Sequence, residues 1–354
     1  MTEHVLLARL DSAGDVLLAG PAVRAVAASA ERVTLLCGPR GVRAAELLPG
    51  VDEIVVFEAP WIDPEPRPVD REATVDLVLR LARLGIDRAF LLTSFHQSPL
   101  PLALLLRLAG VPCIAAASED YPGSLLDLRH RADERAHEVE RALSLVRAWG
   151  YDLPPGDDGR LGIRPVPAWR WTRPYVVVHP GASVPARTWS PERFAAVVDA
   201  LLDAGRAVVV TGGPGEVETA AAVAGPPCAD VLDLAGSTSL RRLASVLAGA
   251  DAVVTGNTGP AHLAAAVGTP VVSVFPPTVP AARWRPWGVP HRLLGWQEIE
   301  CAGCRAQVCP VPGQPCISSI AVANVVRAVD EVARRPQQTE PSSLAAPRES
   351  DRVG

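Results

Sequence analysis

The sequence predicts an α/β fold built from two doubly wound halves, each with a parallel sheet between layers of helices. Short runs rich in Val, Leu and Ala alternate with longer amphipathic stretches along nearly the whole chain. Such alternation is typical of parallel strands joined by crossover helices. Residues 151–174 are rich in Pro, Gly and Asp and have weak periodicity, so they divide the alternation into two series. Ligands of such folds bind beyond the carboxyl ends of the strands, which predicts a cleft between the halves.

Composition narrows the class of protein. The chain has 354 residues, 48% hydrophobic and 21% charged, which is typical of a globular protein with one or two domains. Its formal net charge of −5 argues against a nucleic-acid binder that works through a basic surface. All 34 residues in the Lys and Arg total are Arg. An Arg can therefore stand here where related proteins have Lys, although Arg also binds phosphate bidentately.

The pattern of apolar residues predicts a cytoplasmic location. Glu3 and His4 precede the first apolar run and Asp11 ends it, so we expect no signal peptide. No apolar run reaches the roughly 20 residues that span a bilayer. Peripheral contact with a membrane surface stays open.

The first half is predicted to hold five strands and five helices. The strands are short apolar runs, and the helices are longer stretches with apolar residues three or four apart. Asp15 opens the first helix. The predicted strands are 4–9, 33–37, 53–57, 88–92 and 113–117, and the predicted helices are 15–29, 41–48, 71–84, 101–109 and 131–149.

The second half repeats this alternation after the linker. Ser190 and Ser239 stand at N-cap positions of two of its helices. The polar, proline-containing tail 335–354 is predicted to be disordered. The predicted strands are 175–179, 207–211, 231–233, 252–255 and 271–275, and the predicted helices are 191–204, 216–223, 240–248, one beginning near 261, and 321–334.

The stretch 253–266, VVTGNTGPAHLAAA, predicts a strand, a tight turn and a helix. Gly256 and Gly259 allow backbone angles that a side chain would forbid, and Pro260 suits the first turn of a helix. The turn would direct backbone N–H groups and a positive helix end at an anion above the strand. The alternative is an ordinary strand-to-helix connection. Three side chains add donors to this turn: Asn257, Thr258 and His262.

Three further strand ends carry candidate functional residues. Asp15 ends the stretch RLDSAGD, where it is either a general base at the cleft or a helix cap. Arg187 follows a strand and the loop PGAS, where it either holds a phosphate or is a solvated charge. Glu216 follows the Gly-rich turn TGGPG, where it either accepts from ribose hydroxyls or favours the start of a helix.

Two other segments are singled out. The loop Ser94, Phe95, His96, Gln97 and Ser98 follows a first-half strand, so it is the candidate acceptor site; the alternative is a plain loop before a helix. A four-cysteine segment precedes the closing helix with spacing C-x2-C-x4-C-x6-C, which lacks two C-x2-C pairs. A structural metal, free or redox-labile thiols, and disulfides all stay open for it. Its members are Cys301, Cys304, Cys309 and Cys316.

These motifs occur in a recognisable order, and the sequence resembles glycosyltransferase family 9. The best-known members of that family are the ADP-heptose lipopolysaccharide heptosyltransferases. The resemblance runs from about residue 5 to residue 332, nearly the whole chain. The matching segments are 12–15 (S-x-G-D) with 21–25, 137–141 (HEVER) with 148–150, 180–182 (PGA) with 187–189, and 257–266.

The resemblance implies a GT-B fold, two Rossmann-like domains that face each other across a cleft. We expect residues 1–160 to bind the acceptor, residues 161–334 to bind the nucleotide sugar, and residues 335–354 to be a tail. The family inverts the anomeric carbon and uses neither metal nor cofactor. By resemblance, Asp15 is the base that takes the acceptor's proton.

The resemblance also implies the donor site. Ser183 and Arg187 would hold the diphosphate, and Arg187 stands where the family usually has Lys. Thr258, Gly259 and His262 would surround the phosphates, while Glu216 and Thr238 would lie near ribose and base. Asn257 stands where the family usually has an Asp associated with hydroxyls of the donor sugar, a departure at the position that would contact that sugar.

The predicted function is thus an inverting, metal-independent transfer from a nucleoside diphosphate sugar, with ADP-heptose as the leading donor, to an acceptor hydroxyl. The acceptor is a glycan, a lipid-linked saccharide or a small molecule. Two alternatives stay open: a GT-B nucleotide-sugar epimerase, and a catalytically silent nucleotide-sugar-binding protein. A dinucleotide oxidoreductase is disfavoured because no G-x-G-x-x-G follows the first strand.

Overall fold

The computed structural model describes residues 3–63, 65–94 and 97–333, which form two parallel six-stranded sheets with helices on their faces. The strands are β1 (His4–Arg9), β2 (Arg32–Cys37), β3 (Glu53–Val56), β4 (Arg88–Leu91), β5 (Cys113–Ala117), β6 (Leu128–His130), β7 (Tyr175–His179), β8 (Ala207–Val210), β9 (Val231–Asp233), β10 (Ala252–Gly256), β11 (Val271–Val274) and β12 (His291–Leu294).

The helices of the first half are α1 (Ala13–Leu18), α2 (Gly20–Ala27), α3 (Val42–Ala45), α4 (Arg71–Leu84), α5 (Leu100–Leu108) and α6 (Glu138–Arg147). Those of the second half are α7 (Pro191–Asp203), α8 (Val217–Ala224), α9 (Leu240–Gly249), α10 (Gly259–Ala266), α11 (Ala281–Trp284), α12 (Pro315–Ser318) and α13 (Val322–Val332). Short 3₁₀ turns cover Gly123–Leu125, Pro185–Arg187 and Pro214–Glu216.

Both sheets have the same doubly wound topology, which confirms the fold class predicted from the sequence. The strand orders are β3-β2-β1-β4-β5-β6 and β12-β11-β10-β7-β8-β9. The order reverses beside β1 in the first sheet and between β7 and β10 in the second. In open α/β sheets, ligands bind at these reversal points, outside the carboxyl ends of the strands. The topology therefore brings the loops after β1, β7 and β10 to the cleft.

The helical layers between the sheets are packed together as well. Helix α1 packs against α10, and α3 packs against α9, so one apolar cluster includes Leu17 and Ala45 from the first half and Leu247 and Leu263 from the second. Each of these four side chains is buried. Burial of apolar area is the main stabilising contribution in such a core, and here it also joins the halves.

The structure corrects several predicted helix bounds. The predicted helix 15–29 is two helices, α1 and α2, because Pro21 has no N–H to donate to a carbonyl of the preceding turn. The predicted helix 131–149 begins only at Glu138, with His137 as its N-cap. Ser239 caps α9 through its side chain, whereas the side chain of Ser190, at the N-cap position of α7, makes no capping hydrogen bond.

Two strands that the sequence did not predict, β6 and β12, lie at the edges of the sheets. Their residues are exposed or half-buried, so they lack the continuous apolar run of a central strand. Residues 148–174 contain neither helix nor strand and connect the sheets. The boundary between residues 160 and 161 stays a prediction, and the predicted tail 335–354 lies outside the described residues. Within the described ranges, no helix has the length and apolar character needed to cross a bilayer.

Candidate active site

A cavity of about 520 Å³ lies between the halves, at the carboxyl ends of both sheets. Most of the residues predicted to form the site line it. From the first half they are Asp15, Ser94 and Gln97, and from the second half Ser183, Arg187, Asn257, Thr258, Gly259 and His262. A larger groove of about 770 Å³ lies beside β3 and α4 and contains none of the predicted site residues.

Asp15 lies in the first turn of α1 and lines the cavity, as the sequence predicted. It also takes part in the capping box at the start of that helix. The Ser12 hydroxyl donates to its Oδ2 at 2.7 Å, while Ser12 itself is the N-cap. Arg9 Nη2 donates to its Oδ1 at 3.0 Å. Burial opposes the charged carboxylate, but Arg9 and Ser12 outweigh burial and hold the pKa of Asp15 below its ordinary value. Asp15 is therefore ionised at neutral pH.

A second carboxylate, Asp11, lines the same wall of the cavity and was not predicted to be functional. Its side chain is 8% exposed, lies 3.3 Å from Arg9 Nη2 and accepts from the Ser94 hydroxyl at 2.5 Å. Burial raises its pKa to about 6, an effect that Arg9 opposes and the charge of Asp15 reinforces. Asp11 and Asp15, which both pair with Arg9, thus have pKa values shifted in opposite directions, a feature of acid–base sites. The order Arg-x-Asp at the end of β1 was the available signal.

Arg9 is the buried cation that organises this wall, and the sequence reasoning passed over it. It is 4% exposed and forms ion pairs with Asp11, Asp15 and Glu138. Burial alone would lower the pKa of Arg9, but these three carboxylates raise it above its ordinary value. Its position at the last residue of a central strand, before a polar turn, is the signal that could have identified it.

The opposite wall carries groups suited to an anion. Arg187 ends the 3₁₀ turn Pro185–Arg187, and its buried Nε has no hydrogen-bond partner within the described ranges. Burial lowers the pKa of Arg187, while the charge of Asp15 across the cavity opposes that shift. Arg187 is half-buried, and within the described ranges no carboxylate is hydrogen-bonded to its guanidinium. The guanidinium is therefore suited to binding a phosphate.

The turn after β10 leads from the strand into α10 as predicted, but neither Gly256 nor Gly259 has a positive φ, so the glycine backbone angles expected from the sequence are not used. Thr258 is the N-cap of α10 in an extended conformation, and its side chain makes no capping hydrogen bond. His262 is 4% exposed, and its Nδ1 has no partner in the part of the chain that the structure describes. Burial lowers the pKa of His262 to about 4, so the ring is neutral at pH 7. Asn257 is buried beside them at the cavity wall.

Glu216 and Thr238 lie outside the cavity lining. The Glu216 carboxylate accepts from the Gly213 N–H at 2.6 Å and lies 3.6 Å from His179 Nε2. It occupies the space beside Gly181, where a Cβ would lie 2.0 Å from a carboxylate oxygen. Thr238 is half-buried, immediately before the N-cap of α9. Their role at ribose and base stays a prediction.

The candidate acceptor loop is part of the cavity. Ser94 donates to Asp11, and its backbone N–H donates to Gln97 Oε1 at 2.9 Å. Ser94 therefore connects the loop to the carboxylates at the end of β1. His96, the third predicted residue of this loop, lies outside the described residues.

The seven cysteines are free thiols. Cys316 is buried, and the neighbouring thiols Cys301, Cys304 and Cys309 add to burial in raising the pKa of Cys316. Within the residues that the structure describes, no three His, Cys, Asp or Glu side chains are grouped so that they could hold a metal ion.

Comparison with known proteins gives a consistent result. The family model for glycosyltransferase family 9 (heptosyltransferase) matches residues 87–314. A lipopolysaccharide heptosyltransferase 3 of Escherichia coli is 31% identical over 176 residues, which cover 48% of this chain and 49% of that protein. The chain thus matches about half the length of that relative.

Solved structures share the fold over nearly the whole chain. A glycosyl transferase family 9 protein from Veillonella parvula DSM 2008 superposes with a TM-score of 0.73 at 18% identity, covering 93% of this chain and 97% of that one. Escherichia coli heptosyltransferase WaaC with ADP-2-deoxy-2-fluoro heptose gives 0.70 at 22% identity, covering 93% and 99%. These likenesses confirm the two-domain GT-B fold.

Proposed function

Because the chain belongs to glycosyltransferase family 9, we propose that it is an inverting glycosyltransferase that moves a sugar from a nucleoside diphosphate to an acceptor hydroxyl. One observation carries this proposal. The cavity sets the ionised Asp15 of the first half opposite Arg187 and the uncapped start of α10 in the second half. A base on one side and anion-binding groups on the other are what displacement of a nucleoside diphosphate needs.

The two walls of the cavity have different roles in the reaction: the first half supplies the base and the second half binds the leaving diphosphate. Asp15 accepts the proton of the acceptor hydroxyl as its oxygen bonds to the anomeric carbon of the sugar. The bond from that carbon to the diphosphate breaks on the opposite face, so the configuration inverts. Negative charge develops on the leaving phosphate, where Arg187 and the backbone N–H groups of α10 stabilise it. The neutral His262 adds a hydrogen-bonding nitrogen without an added charge.

The fixed donors on the second wall support a metal-independent reaction. Arg187 and the start of α10 line the cavity and would neutralise a diphosphate in place of a metal ion, and the sequence has no Asp-x-Asp motif near the cleft. We expect transfer to survive EDTA. Loss of activity that Mg²⁺ or Mn²⁺ restores would refute this part of the proposal, whereas slow loss that only Zn²⁺ restores would implicate the four-cysteine segment.

ADP-heptose is the leading donor. The support comes from relatives: the matched Escherichia coli protein is a lipopolysaccharide heptosyltransferase, and WaaC was solved with an ADP-linked fluoro-heptose. Ser183 would hold the diphosphate together with Arg187, and Glu216 and Thr238 would lie near the ribose and the base. The acceptor class, a peripheral membrane contact and the cytoplasmic location stay predictions.

A screen of nucleotides and nucleotide sugars by thermal shift tests the proposal. A ligand at about 100 times its Kd stabilises the folded state by roughly 2.7 kcal/mol. We expect ADP and ADP-heptose to stabilise the wild type, and Arg187→Ala to lose most of that shift. Stabilisation without sugar transfer to any acceptor would favour a silent nucleotide-sugar-binding protein, and epimerisation of the donor alone would favour an epimerase. No shift with any nucleotide would refute the proposal.

A further inference from the structure

Glu138 is a buried carboxylate held between two arginines from different halves of the molecule. Its side chain is 3% exposed at the first residue of α6. Oε1 accepts from Arg283 of α11, at 2.9 Å from Nε and in a second bond from Nη2. Oε2 lies 3.5 Å from Nη1 of Arg9 at the end of β1. One carboxylate thus connects the second half to the first.

The connection continues from Arg9 to the proposed base. Nη1 of Arg9 faces Glu138, while Nη2 lies 3.0 Å from Asp15 Oδ1 and 3.3 Å from Asp11 Oδ2. Arg9 is a planar fork, so fixing one nitrogen restricts where the other can point. Glu138 therefore influences how Arg9 approaches Asp15 without touching Asp15 itself.

Adjacent contacts hold the same interface. His137 Nε2 donates to the backbone carbonyl of Arg285 at 2.9 Å, and its ring stacks on Trp287 with centroids 4.4 Å apart. Burial lowers the pKa of His137 to about 3, so this contact is uncharged at neutral pH. Both His137 and Glu138 belong to the HEVER segment, for which the proposed reaction has no role so far.

We propose that Glu138 is a positioning residue: by pairing with Arg283 it fixes Arg9 against Asp15, so that the base is aligned only while the two halves are in contact here. This inference rests on the proposed function, in which Asp15 is the base. Arg141 supplies a substitute when the halves separate, since its Nε lies 3.6 Å from Glu138 Oε1 within the first half. Separation would then turn Glu138 toward Arg141 and release Arg9.

Substitutions on both sides of the pair test the inference. Glu138→Gln and Arg283→Met remove one charge each, Arg283→Lys keeps the charge and loses the fork, and Asp157→Asn is the matched control. Asp157 also pairs with a partly buried arginine, Arg24 at 2.6 Å, but has no contact with Arg9. Two measurements are made: donor-saturated transfer kinetics across a pH range, and hydrogen exchange of residues 12–18 and 281–288.

We expect Glu138→Gln and Arg283→Met to lower kcat at least tenfold and to move the acid limb of the pH profile, with KM for the donor within about threefold of wild type. Arg283→Lys should recover part of kcat. Exchange should rise at residues 12–18 in Arg283→Met, because the loss of Arg283 is passed on through Glu138 and Arg9 to Asp15. Asp157→Asn should match the wild type in kcat and in the exchange of residues 12–18.

Two results would overturn the inference. One is a wild-type kcat and pH profile in Glu138→Gln or Arg283→Met, which would show that the Glu138–Arg283 ion pair has only a structural role. The other is unchanged exchange at residues 12–18 in Arg283→Met, whether or not the wild type transfers sugar. Absence of transfer by the wild type, with exchange rising as expected, would instead refute the proposed function alone.

Discussion

Gly14 of α1 packs against Gly259 at the start of α10, and this contact joins the two halves beside the cavity. A Cβ on Gly14 would lie 3.3 Å from the Cα of Gly259 and 3.0 Å from Cδ2 of His262. Neither glycine has a positive φ. Glycine is therefore needed at position 14 because of the close approach of the neighbouring helix and not because of backbone conformation.

Gly14→Ala should weaken both nucleotide binding and transfer by severalfold. The added methyl forces His262 or the start of α10 to move by a few tenths of an ångström, and overpacking of this kind typically costs about 1–3 kcal/mol of stability. Titration with ADP and a thermal melt measure the two effects. Gly162→Ala is the control, since a Cβ there meets only Arg24 at an ordinary 3.6 Å. If Gly14→Ala binds ADP with wild-type affinity, the contact between α1 and α10 can accommodate the added methyl without disturbing the site.

Asp15→Asn should abolish transfer while leaving nucleotide affinity nearly unchanged. A general base contributes about 10²–10⁴-fold to the rate. The amide still accepts from Ser12, so most of the cap of α1 should persist. The measurement is kcat beside ADP affinity, with Asp157→Asn as a carboxylate control. Turnover within about tenfold of wild type would leave Asp15 with its capping role only.

Arg187→Ala should weaken nucleoside diphosphate binding far more than Arg187→Lys does. A charge-assisted hydrogen bond contributes roughly 1.5–3 kcal/mol, and Lys keeps the charge but not the paired donors. Calorimetric titration with ADP gives both affinities. Equal affinity of the wild type and the Ala variant would remove Arg187 from the donor site.

Asn257→Asp should change which donor sugar is used, with little change in affinity for the bare nucleoside diphosphate. Asn both donates and accepts hydrogen bonds, whereas an ionised Asp only accepts. A site discriminates strongly between substrates when the wrong one leaves a buried polar group unpaired. Asn257 is 6% exposed, so this effect should apply to it. Competition among nucleotide sugars measures the ranking. An unchanged ranking would show that the side chain at position 257 does not determine which donor sugar is bound.

The pH dependence of stability should reveal Asp11. The folded state raises its pKa from 3.8 to about 6, mainly through burial, so between these values the folded protein holds a proton that the unfolded chain has released. Its stabilising contribution is complete below pH 3.8 and is lost as pH rises through about 6, by up to roughly 1.4 kcal/mol per pH unit. Wild-type stability should therefore fall relative to Asp11→Asn as pH rises through this range.

Urea unfolding of the two proteins at several pH values measures that difference. Asp11→Asn keeps a side chain that can accept from Ser94, so its fold should persist. Ser98→Ala, in the loop that contains Ser94, serves as a control because it removes a polar group that carries no titratable charge. A constant difference between wild type and Asp11→Asn across the range would contradict the raised pKa.

The sequence was sufficient to predict the fold and the grouping of several candidate residues around one cavity. Residues at the ends of central strands, such as Asp15 and Asn257, lie in short motifs whose turns have only a few possible geometries. The parallel alternation then places those turns on one side of each sheet. This is why Arg187 and His262 could be assigned to the same cavity as Asp15 although they are far apart in sequence.

The missed residues depend on contacts that no local pattern contains. Arg9 ends a predicted strand, and nothing in the local pattern marks it as a buried cation. Asp11 and Asp15 follow it closely in the chain, but Glu138 reaches Arg9 only through the packing of α6. Glu138 likewise has the ordinary sequence position of an acidic residue in the first turn of a helix. Its pairing with Arg283 depends on how the second half docks, which short-range sequence patterns do not determine.

The packing of α1 on α10 and of α3 on α9 has a consequence for how the protein melts. Because one apolar cluster includes side chains of both halves, separating them would expose Leu17 and Leu263 to water. Each half also has an apolar cluster of its own, but the helical face that it turns toward the other half is buried only while the two are in contact. We expect a single cooperative transition in calorimetry, and a fragment ending in the 148–174 connection should be poorly soluble unless the other half is supplied.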